Sequence, residues 1–297
     1  MRKDAIVLSL RSNAQSKRID WIGYFFVIPF FLPFFLFSFV SIVFGAVVAF
    51  TNWQIVGETN FVGFENFKTF LNDRPAWDAF IHTFTYALSI VPSVMLLAFL
   101  GALFVNEKLP GHTFARWAFY APNVVSAPVI GLVWVWMLDT QYGIINQYFG
   151  LSVPWLTNPS WSIYGVSLAS IWWDLGLAFI LFLAGLQEVD PVLLEAAKVD
   201  GAKRFQSLRF VVVPLLRRSF VLILTLQCIS TFRIFSQVKV MTNGGPAGSS
   251  SSVVEYIYDY GIAKFELGYA ATLSLLLFIL IVAINLILRK IFPDDDK

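Results

Sequence analysis

Long apolar stretches without a charged residue constrain the fold of this chain more than any other feature. Four stretches contain no Asp, Glu, Lys or Arg: 21–57, 79–106, 117–138 and 267–288. In two others a single charge interrupts the apolar run, Asp174 between 140 and 187 and Arg233 between 219 and 238. About 20 helical residues cross the hydrocarbon core of a bilayer. The pattern predicts an all-α, polytopic membrane protein with six transmembrane helices, at 22–49, 84–105, 117–138, 162–185, 219–239 and 268–289.

The composition excludes several other classes of protein. Of the 297 residues, 58% are hydrophobic and 13% are charged, whereas soluble domains have about 25% charged residues. Disordered chains and nucleic-acid-binding proteins are therefore excluded. Cys228 is the single cysteine, so an intrachain disulfide and a cysteine metal cage are excluded as well. With only two histidines, we expect no metal site.

The positions of the basic residues predict the orientation in the membrane. Sixteen of the 21 Lys and Arg residues fall in tails and loops on one side of the six predicted helices, and that side is cytoplasmic by the positive-inside rule. We therefore expect a multi-pass membrane protein with both termini in the cytoplasm. The predicted segments are cytoplasmic tails at 1–20 and 293–297, a transmembrane domain at 21–292, external segments at 52–80 and 240–266, and an internal loop at 187–218.

The two predicted external segments differ in pattern. In the first, Phe61, Phe64, Phe67, Phe70 and Leu71 recur at helical spacing, which predicts a short amphipathic helix on the outer surface. The second contains four consecutive serines at 249–252, and we expect a flexible loop there. Within the spans, five prolines predict kinks: Pro29, Pro33, Pro92, Pro122 and Pro128.

The internal loop 187–218 is predicted to form two short helices. Asp190 and Pro191 are typical of a helix start, because Asp caps the first turn and Pro has no N–H to leave unpaired there. Gly201 permits the turn that ends the first helix, and residues 202–210 can form the second. Helices of this length are not stable alone in water, so we expect a partner protein to hold them.

The sequence of this loop resembles that of a known family. Glu-Ala-Ala-Lys-Val-Asp-Gly-Ala at 195–202, followed by Pro214, resembles the EAA loop of the membrane subunits of binding-protein-dependent ABC importers. Three further strings resemble the carbohydrate-uptake branch of that family, at 61–67, 184–187 and 242–246. The resemblance is to the first of the two paired permeases of the maltose/glycerol-phosphate type. His82-Thr83 departs from the pattern, since relatives commonly have Asn-Thr.

This resemblance implies the type I ABC importer permease fold, a location in the bacterial inner membrane and a non-catalytic role as half of a translocation pore. ATP and Mg²⁺ would bind to a separate ATPase dimer, and this chain has no G-x-x-x-x-G-K-[ST] phosphate loop. The other implied partners are a second homologous permease, an extracytoplasmic solute-binding protein, membrane lipid and a carbohydrate substrate. No nucleic acid and no cofactor bound by this chain itself are implied.

The resemblance also implies the roles of particular residues. Glu195 would meet a basic group of the ATPase, Ala196 and Ala197 would fit its groove, and Gly201 would set the turn. The implied coupling residues are Glu195, Ala196, Ala197, Asp200, Gly201, Ala202 and Pro214. Candidates for contact with the binding protein are Asn243, Gly244, Gly245 and Pro246. The alternative for Glu195 is a solvated carboxylate in an early turn, stabilised by the helix dipole.

Asp174 and Arg233 lie in the predicted spans, where a charge is costly and usually faces a cavity or another charge. One interpretation is a polar lining for a hydroxyl-rich solute. The candidate lining residues are Tyr164, Trp172, Trp173, Asp174, Gln227, Ser230, Thr231 and Arg233. The alternatives are a structural ion pair, or an Arg233 side chain that extends outward to the interface.

Three other functions remain open at this point. The first is an ABC permease for a solute other than a sugar, such as glycerol phosphate. A self-sufficient secondary transporter requires an ion site and inverted repeats, and of its features only the intramembrane Asp174 is present. A membrane enzyme requires a clustered catalytic set, which the sequence does not show.

Overall fold

The computed structural model describes residues 21–54, 57–107 and 110–292, and the side chains from residue 26 onward. The predicted tails at 1–20 and 293–297 lie outside the described residues. In chain order the helices are α1 (Trp21–Phe34, continued by a π-helical turn at Phe35–Phe39 and by Val40–Val48), α2 (Glu65–Asn72), α3 (Arg74–Asn106), α4 (His112–Val124), α5 (Ala127–Met137), α6 (Ile144–Phe149), α7 (Ser162–Glu188), α8 (Pro191–Val199), α9 (Arg204–Leu215), α10 (Arg217–Phe232), α11 (Ser236–Met241), α12 (Val253–Tyr258, continued by a π-helical turn at Asp259–Ala263) and α13 (Leu267–Ile291).

The predicted all-α class is confirmed. In the part of the chain that the structure describes, the β-structure is limited to two isolated bridges, Thr51 with Phe61 and Gln54 with Glu266. Within the described part of the chain, four helices are long and apolar enough to cross a membrane, namely α1 from Phe26, α3, α7 and α13. The number rises to six, as predicted, if the bent pairs α4–α5 and α9–α10 each count as one span.

The chain divides into two compact units, residues 1–47 and 48–297. In the first unit, α1 continues without a break past Pro29 and Pro33, where kinks were expected. Its aromatic side chains stack one turn apart, with 5.0 Å between the ring centroids of Phe35 and Phe39. Its described side chains are mostly exposed and apolar, as expected of a helix that faces lipid.

The core of the second unit lies between α3 and α7. On α3, every fourth residue is fully buried: Tyr86, Ile90, Val94, Ala98 and Ala102. Such a row forms one ridge along the helix and packs into the groove of a neighbour. The facing side of α7 contains Val166, Ala169, Ala178, Phe179 and Phe182, all fully buried. The alanines in both rows let the two backbones approach closely, as in other membrane helix pairs.

The expected single span at 117–138 is wrong in detail, because α4 and α5 meet at an angle of 106°. Val125 and Ser126 between them have extended backbone, with ψ of 142° at both residues. Pro128 lies in the first turn of α5, where its missing N–H costs no helical hydrogen bond. The prolines predicted a kink here, but the chain forms two separate helices.

The expected span at 219–239 is also wrong in detail, because α10 ends at Phe232 and α11 begins only at Ser236. The N–H groups of Arg233 and Ile234 donate to the carbonyl oxygens of Ser230 and Thr231, three residues back, at 3.1 and 3.0 Å. Hydrogen bonds to the carbonyl three residues back, as in a 3₁₀-helix, are typical of a helix end. The carbonyl of Ile234 is satisfied instead by the hydroxyl of Ser252, at 2.7 Å.

The bounds of three other predicted helices can be compared with the structure. The helix α3 begins at Arg74, ten residues before the expected start at 84, because the Asp73 carboxylate accepts the N–H of Ala76 at 3.3 Å. The second helix of the internal loop, expected at 202–210, continues to Leu215 and contains Pro214. The amphipathic helix expected after 59 is α2, and of its predicted apolar positions Phe70 is buried.

The serine run 249–252 was expected to be flexible and is instead packed inside the protein. Ser250 and Ser252 are fully buried. The hydroxyl of Ser250 donates to Thr242 at 2.8 Å, and the hydroxyl of Tyr86 on α3 donates to the Ser250 carbonyl at 2.9 Å. We call residues 242–252 the Gly-Gly-Pro connector. The expectation failed because serine is small enough to fit a crowded site, and the same composition is typical of loops.

Candidate functional site

A polar cavity of about 230 Å³ lies where α10 breaks off beside the middle of α7. Its lining brings together five of the eight predicted residues: Trp173, Asp174, Ser230, Thr231 and Arg233. Other lining residues were not predicted: Ile90, Ala127, Ser170, Ile234, Phe235, Ser236 and Gln237. The polar residues Ser236 and Gln237, three and four positions after Arg233 in an otherwise apolar stretch, were the available signal for them.

Asp174 and Arg233 share this cavity without pairing. The ion pairs of the described residues do not include one between them. The Asp174 carboxylate instead accepts the hydroxyl of Ser230 at 3.4 Å, and Gln227 donates to the Asp174 carbonyl at 3.5 Å. Both charged groups therefore remain available to a third molecule in the cavity, and a structural ion pair does not account for them.

Two buried polar atoms beside Asp174 lack a hydrogen-bond partner within the described part of the protein. They are Oε1 of Gln227 and Oγ1 of Thr231, and these residues are only 3% and 2% exposed. A buried polar atom without a partner is costly and calls for an explanation, such as water or a ligand. Thr231 lines the cavity, so a hydroxyl-bearing solute there would satisfy its oxygen.

Trp173, in the lining of the cavity, is hydrogen-bonded to residues at the break between α4 and α5. Its indole N–H donates to the Val125 carbonyl at 2.9 Å, and the Asn123 side chain donates to the Trp173 carbonyl at 3.3 Å. The structure does not bring the other two predicted aromatic residues into this lining. Trp172 packs against Trp134, with 6.0 Å between ring centroids, and Tyr164 packs against Trp161 at 6.2 Å.

The 187–218 segment forms the helix, turn and helix that were predicted. The Asp190 carboxylate accepts the N–H of Val192 at 2.9 Å and so caps α8. Gly201 has φ of +82°, and the N–H of Ala202 donates to the Ala197 carbonyl at 2.9 Å. This left-handed turn is typical of a glycine that ends a helix. The predicted cap and the predicted turn are both present.

The surface of this segment is apolar and exposed. No residue of α8 is buried, and Val199 at its end is 88% exposed. Glu195 and Ala196 are exposed, and Ala197 and Ala202 are partly exposed. Val192 and Phe205 also present most of their surface to solvent. Apolar side chains grouped in this way mark an interaction surface more often than a solvated loop.

Behind this segment, a cavity of about 640 Å³ separates it from the ends of α3 and α7. Leu103 and Leu186 line it from those two helices, and Leu194 and Leu208 line it from the segment. At its edge, Arg204 of α9 forms an ion pair with Glu107, the residue after α3. The segment therefore borders a cavity on this side, while Leu194 and Leu208 pack against the core and Arg204 adds a charged contact to α3.

The Gly-Gly-Pro connector lines a third cavity, of about 660 Å³. Asn243, Gly244 and Gly245 line it, and the Gly245–Pro246 peptide is cis. Asn243 and Gly244 have φ of 49° and 75°, which glycine adopts at no cost and asparagine tolerates. The four predicted residues thus form one tight turn at the edge of this cavity.

Acidic side chains on α12 and its π-helical turn face the same cavity. Glu255 and Asp259 both accept Lys239, at 3.1 and 2.9 Å, so their charges are partly neutralised. The nearby Asp73 accepts the hydroxyls of Tyr256 and Tyr269, at 2.9 and 2.6 Å. Burial, together with the hydrogen bonds to Tyr260 and Asp73, raises the pKa of Tyr256 above its ordinary value. Tyr256 therefore stays protonated and holds α12 to the start of α3.

Residues that could ligate a metal are dispersed. Across 21–54, 57–107 and 110–292, no three His, Cys, Asp or Glu side chains are grouped so that they could hold a metal ion. The polar cavity beside Asp174 is instead lined by hydroxyls, one side-chain amide, one carboxylate and one guanidinium. Such an arrangement can bind a polar solute through hydrogen bonds.

Comparisons with known proteins agree with this arrangement. Residues 61–294 match the model of a family described as binding-protein-dependent transport system inner membrane component. A probable starch degradation products transport system permease protein from Thermoanaerobacterium thermosulfurigenes is 25% identical over 88% of this chain and 90% of that protein. A multiple sugar-binding transport system permease protein from Streptococcus mutans serotype c is 29% identical over 91% of this chain and 94% of that protein.

A solved structure shares the fold. It is a chain of a bacterial ABC transporter involved in the import of the acidic polysaccharide alginate. The TM-score is 0.79 at 21% sequence identity, and the match covers 94% of this chain and 97% of that one. The expected type I ABC importer permease fold is thereby confirmed.

Proposed function

Because this chain belongs to the family of binding-protein-dependent transport system inner membrane components, we propose that it forms half of a translocation path for a carbohydrate. A second, homologous permease supplies the other half. An extracytoplasmic binding protein delivers the solute, and a separate ATPase dimer binds ATP and Mg²⁺. Both termini of the chain lie in the cytoplasm, so that the 187–218 segment faces the ATPase.

The observation that carries the carbohydrate assignment is the polar cavity beside Asp174. Its carboxylate, the Arg233 guanidinium and the unpartnered Thr231 hydroxyl suit a solute that has many hydroxyl groups, each both a donor and an acceptor. Trp173 offers an apolar face for a sugar ring. The relatives named for starch degradation products and for multiple sugars support the same class of solute. A non-sugar solute is not favoured, nor is a self-sufficient secondary transporter.

The exposed surface of α8 supports docking to the ATPase. In this proposal Glu195 meets a basic group, Ala196 and Ala197 enter a groove, and Gly201 sets the turn toward α9. Asp200, Ala202 and Pro214 complete the segment. At the opposite end, Asn243, Gly244, Gly245 and Pro246 of the connector contact the binding protein.

The proposal is tested by reconstituting the complete transporter, with its binding protein, into proteoliposomes and measuring ATP-dependent uptake of labelled carbohydrates. We expect uptake of at least one carbohydrate, and Thr231→Val to raise its apparent KM about two- to tenfold, the worth of one hydrogen bond. Thr225→Val, on the same helix and outside the cavity lining, is the matched control and should leave KM unchanged. Uptake that an ion gradient drives without ATP would overturn the proposal, and an unchanged KM in Thr231→Val would remove this cavity from the path.

A further inference from the structure

The helix α3 touches both regions to which the proposed function assigns partners. Near its start, the Thr83 hydroxyl oxygen accepts the N–H of Val253 at 3.0 Å, and the Tyr86 hydroxyl donates to the Ser250 carbonyl at 2.9 Å. Both bonds are buried. They fasten α3 to the end of the Gly-Gly-Pro connector and to the start of α12.

At its other end, α3 reaches the 187–218 segment through a charged contact. Glu107 follows the last residue of α3, and its carboxylate pairs with the guanidinium of Arg204 in the first turn of α9. The cavity of about 640 Å³ lies between the same two elements. Apolar side chains such as Leu194 and Leu208 pack against the core beside that cavity, and among the described residues the ion pair adds a charged link between the segment and α3.

We propose that Glu107 and Arg204 are positioning residues whose ion pair passes movement between the 187–218 segment and α3. This inference rests on the proposed function, in which that segment follows the ATPase. A shift of α9 then moves α3 along with it, and α3 moves the connector through Thr83 and Tyr86. The binding-protein side and the ATPase side are linked through one helix.

The exposure of the pair agrees with a role in movement rather than in stability. The Arg204 side chain is 79% exposed and that of Glu107 is 34% exposed. Ion pairs as exposed as this contribute little to folding. An interaction that is present in one conformation and altered in the other still shifts the equilibrium between them, by its difference in free energy.

The test measures solute transported per ATP hydrolysed by the reconstituted transporter. We expect Glu107→Gln and Arg204→Gln each to lower this ratio about two- to fivefold, the range for an exposed ion pair, with normal assembly of the complex. The charge-exchanged double variant Glu107→Arg/Arg204→Glu should restore the ratio, because it rebuilds the pair. Lys203→Gln and Glu188→Gln, exposed neighbours outside the ion pairs of the described residues, are the matched controls.

Two results overturn the inference: a wild-type ratio in both single variants, or a double variant that is no better than the singles. Should a single variant assemble poorly, Arg204→Lys keeps the charge with different geometry and must then retain most of the ratio. The wild-type transporter separates this test from that of the proposed function, since wild-type uptake that does not require ATP would contradict the function itself.

Discussion

At Gly201 the backbone itself, and not the space around it, decides which residue can be present. Its φ of +82° lies in the left-handed region, and a Cβ built there meets no atom within 4 Å. A β-branched side chain is therefore disfavoured through its effect on the backbone alone, by about 1–2 kcal/mol. A backbone that relieves this strain leaves the left-handed conformation at residue 201. Because this turn connects α8 and α9, the direction in which the two helices meet then changes.

We expect Gly201→Val to insert into the membrane normally and to lose most of its transport, while ATP hydrolysis continues. Gly201→Asn is the matched control, because asparagine tolerates the left-handed conformation, and it should retain most of the transport. Uptake and hydrolysis are measured on the same reconstituted samples and normalised to inserted protein. Wild-type transport by Gly201→Val would show that this turn has no part in coupling.

Among the elements, the two bent spans form the polar cavity because each interrupts an apolar stretch beside α7. The α4–α5 break places Val125 and Asn123 against Trp173. The end of α10 places Arg233 and Thr231 beside Asp174. Two uninterrupted helices would instead have presented continuous apolar faces, with no opening between them. The break in each span is thus what makes room for a solute.

The packing of α4 on α7 leaves no room at Gly176. A Cβ built there lies 2.8 Å from Cβ of Asn123 and 3.2 Å from the carbonyl oxygens of Phe119 and Tyr120. Gly176→Ala should therefore destabilise the protein by about 1–3 kcal/mol, as overpacking does, measured as a lower Tm in detergent. Gly45→Ala, where a Cβ meets nothing within 4 Å, should leave Tm unchanged. An unchanged Tm in Gly176→Ala would contradict this packing.

Hydropathy predicted the number of spans but not the breaks within them. Both α4 and α5 are apolar, so the hydropathy of the stretch remains high although the direction of the chain changes by 106° between them. Pro122 and Pro128 signalled a kink, yet Pro29, Pro33 and Pro92 lie within helices that continue past them. Whether a proline ends a helix depends on contacts with residues that are distant in sequence, such as the hydrogen bond from Asn123, beside Pro122, to the Trp173 carbonyl.

The candidate site was predicted best where local geometry determines it. The cap at Asp190 and the turn at Gly201 depend only on nearby residues, and both are present. The cavity lining depends on which face each residue of α7 presents after packing. Trp172 and Trp173 are adjacent in the sequence, yet only Trp173 lines the cavity, because successive helical residues point about 100° apart.

For the molecule as a whole, the distribution of basic residues predicts that both termini are cytoplasmic. In a Cys228→Ser background, we expect Asn72→Cys to react with a membrane-impermeant maleimide in intact spheroplasts. Lys203→Cys should react only after permeabilisation, because it belongs to the cytoplasmic loop in this orientation. Both positions are exposed, so access to the reagent depends on sidedness. Labelling of Lys203→Cys in intact spheroplasts would show that the chain has the opposite orientation in the membrane.

The burial of the serine run has a practical consequence for anyone who handles this protein. A protease needs several residues that can leave the structure and extend across its active site, and the buried Ser250 and Ser252 cannot do so without unfolding the connector. An inserted epitope tag would meet the same obstacle. Ala247 and Gly248 are exposed, and a Cβ built on Gly248 meets nothing within 4 Å, so an insertion between them meets less packed structure than one in the serine run.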